Sequence, residues 1–126
     1  MTVSNILKYI FILHFIVAMA FGIWFFIAVE TWETVAAWPW LDPYAGRVIG
    51  AMTIAWAMAS ALGYRAASWE QVEIIVIQDV IGSVLLLVGS VWMMFAYPTI
   101  PIAGWLMTGL FGLFVVLFLY AYLTKP

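Results

Sequence analysis

IIVIQDVIGSVLLLVGSVWMMFA, residues 74–96, is the stretch whose reading decides how this chain folds. It exceeds the ~20 residues an α-helix needs to cross a bilayer, yet it carries one carboxylate, Asp79. A carboxylate at membrane depth is costly unless it has a partner or a task. Projected at about 100° per residue, Gln78, Asp79, Gly82, Ser83, Gly89 and Ser90 fall on one arc of roughly 140°. Ile77, Val80, Ile81, Val84, Leu87, Val88, Val91 and Trp92 take the opposite face, which suits lipid. Asp79 is therefore expected to point into a helix bundle.

Working outward, Ser68-Trp69-Glu70-Gln71 matches a capping box, so this helix starts near Trp69 and stops before Pro98. The turn Pro98-Thr99-Ile100-Pro101 is short and makes the next apolar run, Ile102–Leu123, an antiparallel neighbour. On the other side, Asp42-Pro43 reads as an N-cap followed by proline at the first helical position. A helix from Pro43 to about Arg65 is then long enough to span, around the run Val48–Leu62. The first run, Ile6–Val29, predicts a helix over roughly Asn5–Val29. Lys8, the run Tyr9–Val17 and Ala18-Met19-Ala20 imitate a signal peptide, but the apolar run continues to Val29, so a retained helix is expected. Between the first two helices, Glu30–Leu41 holds Glu30, Glu33, Trp32, Trp38 and Trp40. Tryptophan favours the headgroup level, which predicts a short interfacial helix closed by Pro39.

The resulting fold class is an all-α membrane protein, with residues 1–126 forming one domain of four antiparallel transmembrane helices. Composition agrees: 68% of the 126 residues are hydrophobic and 8% charged, against about 25% charged in soluble domains. Lys8, Arg65 and Lys125 fall on one side and Arg47 on the other, which predicts cytoplasmic termini.

Interfaces between helices in lipid concentrate small and polar residues. His14, Ala18 and Gly22 recur along helix 1, and Gly104, Thr108 and Gly112 along helix 4. Gly46, Gly50, Thr53, Ala57, Ser60, Ala61 and Tyr64 share a face of helix 2. Gly22, Gly50, Gly82, Gly89, Gly104 and Gly112 are thus expected at tight packing seams. The same seams could hold another membrane protein or a second copy.

Two polar groupings stand out. His14 lies six residues past Lys8 and Asp79 six past Glu73, so both sit roughly 9 Å inward from the same face at 1.5 Å per residue. A His14–Asp79 contact is expected, with Ser60, Tyr64 and Gln78 completing the network. It reads either as a proton- or cation-binding site or as a lock between helices. At the outer end, Arg47 is near Glu30, Glu33 and Asp42. Three carboxylates favour an interfacial ion pair over capture of an anionic headgroup. Arg65 with Glu70 or Glu73 reads as a solvated cluster without chemistry.

Several function classes are excluded or disfavoured. Four Lys and Arg residues make no basic patch for nucleic acid. The chain has no cysteine, hence no thiolate nucleophile and no cysteine-based metal site. One histidine cannot ligate a haem from both sides, and methionines in apolar helices are usually packing. No H-E-x-x-H, G-x-S-x-G, P-loop or dinucleotide fingerprint occurs. The expectation is no cofactor and no metal.

The length and four-helix plan are similar to the small multidrug-resistance transporters. That family carries a glutamate midway along helix 1, where this chain has His14, with its carboxylate on helix 3. Arg47-Val48-Ile49-Gly50-Ala51-Met52-Thr53 resembles, over seven residues, the opening of helix 2 in the four-helix scaffold proteins of ergosterol biosynthesis. Neither resemblance assigns a family. The leading expectation is a non-enzymatic accessory, scaffold or assembly subunit of a membrane complex. The alternative is a small oligomeric transporter, or a proton- or cation-coupled carrier using Asp79 and His14. A lipid-modifying enzyme is a third reading.

Overall fold

The computed structural model describes residues 1–38 and 41–126. Four helices account for most of them: α1 (Asn5–Val35), α2 (Pro43–Arg65), α3 (Trp69–Ala96) and α4 (Ala103–Leu123). All four are long and apolar enough to cross a membrane. Among the described residues the only β pairing is an isolated bridge between Thr2 and Ser68.

The helix starts follow local chemistry. Ser4 Oγ accepts from Leu7 N–H at 3.1 Å, and Asp42 Oδ1 from Tyr44 N–H at 3.0 Å, each satisfying a donor that the first turn leaves free. Gln71 Oε1 reaches back to the N–H groups of Ala67 (2.9 Å) and Ser68 (3.4 Å).

α1 differs from the expected layout. It runs on past Val29 to Val35, and the interfacial helix exists only as its last turns, set off by a break at Ala28 (φ −140°, ψ 45°). The break has a visible cause. The Thr31 hydroxyl donates to the freed Ala28 carbonyl (2.6 Å) and accepts from the Trp24 indole N–H (2.6 Å). Trp32, expected at the lipid headgroups, is instead buried against Phe25, Trp24 and Phe21, with ring centroids 5.2, 5.3 and 5.8 Å away. The helix ends at Ala37, which adopts a left-handed φ of 51°. Trp38 N–H reaches Glu33 C=O (2.9 Å) and Ala37 N–H reaches Thr34 C=O (3.4 Å), a Schellman closure with alanine where glycine is usual. The expected stop at Pro39, and Trp40, lie outside the described residues.

The helices pack as two hairpins rather than as one evenly packed bundle: α1 is intimate with α2 and α3 with α4, while contacts between the pairs are sparse. The α1–α2 crossing is made by glycine. A Cβ on Gly50 would stand 2.4 Å from Phe26 N, and one on Gly22 would stand 2.9 Å from Ile54 N. In lipid, where apolar surface gains little by hiding, such backbone approach is what holds helices together.

The hairpins join at the end that carries both termini. Leu7, Ile10 and Phe11 of α1, Val72 and Val76 of α3, and Phe114 and Phe118 of α4 form one buried core there. Met1 C=O accepts from Trp69 N–H at 2.8 Å. The N-terminal amine lies 3.5 Å from Glu70 Oε1, and Lys125 Nζ lies 3.5 Å from Glu73 Oε1. These carboxylates thus serve the chain termini, and the expected pairing of Arg65 with either is not among the ion pairs of the described residues.

Candidate functional site

Above that core, two hydrogen-bonded pairs hold three of the buried polar side chains, His14, Ser60 and Asp79. His14, in the first third of α1, meets Ser60 of α2 through Nδ1 and Oγ at 2.6 Å. Its ring lies edge-on to Phe114 (4.8 Å), Phe118 (5.3 Å) and Trp56 (5.5 Å). Asp79 of α3 is wholly buried. Its Oδ1 accepts from the Trp56 indole N–H, while Oδ2 has no partner.

The direct His14–Asp79 hydrogen bond expected from matching depth is not formed. Trp56 stands between the two, touching His14 with its ring and Asp79 with its N–H. Depth placed both residues at the right level; it carried no information on what lay between them. Trp56 sits one turn before Ser60 on α2, so the i, i+4 rule was the available signal. Gly82, three residues past Asp79, makes room for the indole: a Cβ there would lie 2.6 Å from the Trp56 ring.

The remaining expected members lie elsewhere. Tyr64 is half exposed, with its ring 6.0 Å from Lys8 Nζ, and Gln78 is exposed. The arc drawn on α3 was about right at Asp79 and Ser83 but too wide. The buried residues are Trp69, Val72, Val76, Asp79, Ser83 and Met94, which leaves Gln78 and Gly89 outside the set. Gly89 faces open space and Gly112 makes only an ordinary contact, Leu87 at 3.8 Å, so neither is a close-packing position. Gly104 is one: its missing Cβ leaves room for Met94. Next to it, the Ser90 and Thr108 hydroxyls pair across α3 and α4.

At the outer end, Arg47 Nη2 lies 2.8 Å from Glu30 Oε1 and 3.1 Å from Oε2. Both side chains are about half exposed, so water screens the pair and it adds little to stability. Glu33 joins no ion pair among the described residues, and Asp42 is occupied in capping α2. No group of three metal-ligating side chains occurs among the described residues.

Between the hairpins lies a chamber of about 240 Å³ to which all four helices contribute. His14, Phe21, Thr53, Trp56, Ser83 and Phe111 are among its walls. A wider cleft of about 770 Å³ continues from it toward Trp32, Trp38 and Tyr97, and the two share Phe25, Ile49, Leu86, Met107 and Phe111. Sequence reasoning could not find this space, because it arises from hairpins that part rather than from any motif. No protein-family model matches the chain, and no curated protein or solved structure matches it either.

Proposed function

We propose that this chain is a small non-enzymatic integral membrane protein, with both termini at the cytoplasmic face, that serves as an accessory, scaffold or assembly subunit of a membrane complex. The observation that supports it is the parting of the hairpins: they share a core at one end and leave an apolar cleft at the other. A body of this kind offers lipid-facing surface and an adaptable cleft to another membrane protein or to a second copy. Solubilisation in mild detergent followed by affinity capture tests it. A stoichiometric membrane partner, or a defined homo-oligomer, is expected; a monomer that catalyses flux alone overturns the reading.

A second reading, a proton- or cation-coupled carrier, is favoured by one observation: Asp79 Oδ2 is buried without a partner, close to a chamber that His14 lines. In proteoliposomes that reading requires Asp79→Asn to abolish flux with an unchanged melting temperature. A variant that loses only stability assigns Asp79 to a lock instead.

A further inference from the structure

The chamber between the hairpins is mostly apolar; of its polar wall groups, the Thr53 hydroxyl donates to Ile49 C=O and the Trp56 N–H to Asp79, which leaves His14 and Ser83 to define what it can hold. Ser60 is wholly buried and meets only His14 Nδ1 among the described residues, so we assign its hydroxyl as the donor, which satisfies that buried group and leaves the neutral imidazole proton on Nε2. His14 is 5% exposed and Ser83 2%, and both line the chamber. The one fully enclosed side-chain atom without a partner among the described residues is Asp79 Oδ2. His14 Nε2 and the Ser83 hydroxyl also join no hydrogen bond there, and both residues line the chamber, from α1 and α3. Two donors are thus available to an acceptor placed in that space.

The other walls restrict the acceptor further. Phe21, Phe25, Phe111, Phe114 and Trp56 present ring surface, which favours a flat, apolar body. An apolar cavity of 150 Å³ already admits benzene, so 240 Å³ accommodates a substituted six-membered ring. The Asp79 carboxyl, one turn before Ser83, disfavours an anionic head. Asp79 is itself wholly buried and not part of the chamber wall, so it cannot receive a cationic one. From His14 to Phe25 the walls extend roughly 16 Å along α1 at 1.5 Å per residue. They then merge with the cleft of about 770 Å³, which is almost entirely apolar. That is space for a hydrocarbon tail.

We propose that the chamber binds a lipid-soluble quinone, with a ring carbonyl accepting from His14 Nε2 and the Ser83 hydroxyl and the tail running out between the hairpins. The assignment concerns binding alone and does not depend on a protein partner. Neutral lipids without a ring carbonyl share the tail but not the head, and this difference makes the proposal testable.

The experiment titrates the detergent-purified full chain with decylubiquinone, following quenching of tryptophan fluorescence, with decylbenzene, which has ring and tail but no carbonyl and does not itself quench, as a competitor. Saturable quenching by the quinone that an equal concentration of decylbenzene does not reverse is expected. His14→Ala and Ser83→Ala should each weaken binding about tenfold, as loss of one hydrogen bond does. Leu86→Trp, which fills the chamber wall, should abolish it. Circular dichroism and gel filtration establish that each variant is folded, and the small change Ser83→Ala keeps the test valid should His14→Ala fail to fold. Quenching that never saturates and is alike in every variant is partition into the micelle, and overturns the proposal. Reversal of the quenching by decylbenzene, or an unchanged affinity in Ser83→Ala, overturns it too.

Discussion

At the end of the molecule that carries both termini, α1, α3 and α4 share a core of interlocking aromatic and aliphatic side chains, tied by a backbone hydrogen bond from Trp69 to Met1 and by two ion pairs. At the other end the α1–α2 hairpin stands apart from the α3–α4 pair around a cleft lined by Trp38, Leu85, Met93 and Tyr97. Apolar side chains dominate at both ends. Apolarity does not choose between them, because lipid solvates a leucine about as well as a neighbouring helix does. What differs is shape and polar pairing. The closed end has side chains that fit each other, and the parted end has Gly89, which packs against nothing.

The largest effect that could break this comparison is a cavity. Phe118 is completely buried at the closed end, and Phe118→Ala should cost about 4 kcal/mol. Leu85→Ala, at a residue 68% exposed beside the cleft, should cost under about 0.5 kcal/mol. Melting curves in a single detergent compare the two, and similar losses would mean that the ends are not differently packed.

The next effect in size separates glycines that look alike in sequence. Gly50→Ala forces a methyl against the α1 backbone and should cost about 2 kcal/mol. Gly89→Ala should be neutral or gain up to about 1 kcal/mol in helix propensity. Chemical denaturation of both variants is the measurement.

Between the two ends lies the polar level, and Trp56 is its test. Trp56→Phe leaves Asp79 with no donor at either oxygen and should cost about 2 kcal/mol. Adding Asp79→Leu removes the stranded carboxyl, so the double variant should lose less than the two single variants summed. Additive losses would show that the hydrogen bond is not what couples α2 to α3.

The smallest predicted effect is a gain at the parted end. Ala37 pays for a left-handed φ of 51°, and Ala37→Gly should add about 1 kcal/mol. The increase should leave the closed-end core unaffected, which hydrogen exchange at Phe118 and its neighbours can verify.

Much of the fold was legible because its signals are local. Run length and polarity determine four helices, Asp42-Pro43 and Gln71 mark where two of them begin, and the cost of a buried carboxylate turns Asp79 inward whatever surrounds it. The break at Ala28 was not legible, since it depends on Thr31 meeting Trp24 seven residues away. Likewise Gly50 and Gly89 carry the same residue type, and only a neighbour's position separates a tight crossing from an open surface.

The sequence by itself determined that four helices are long and apolar enough to cross a membrane, and the level of His14 and Asp79, both of which follow from polarity and a 1.5 Å rise per residue. Tertiary structure alone decided that Trp56 would come between those two residues, and that the hairpins would close at one end and part at the other. Those outcomes depend on which side chains interlock across helices, and in lipid that fit, rather than apolarity, selects the contact.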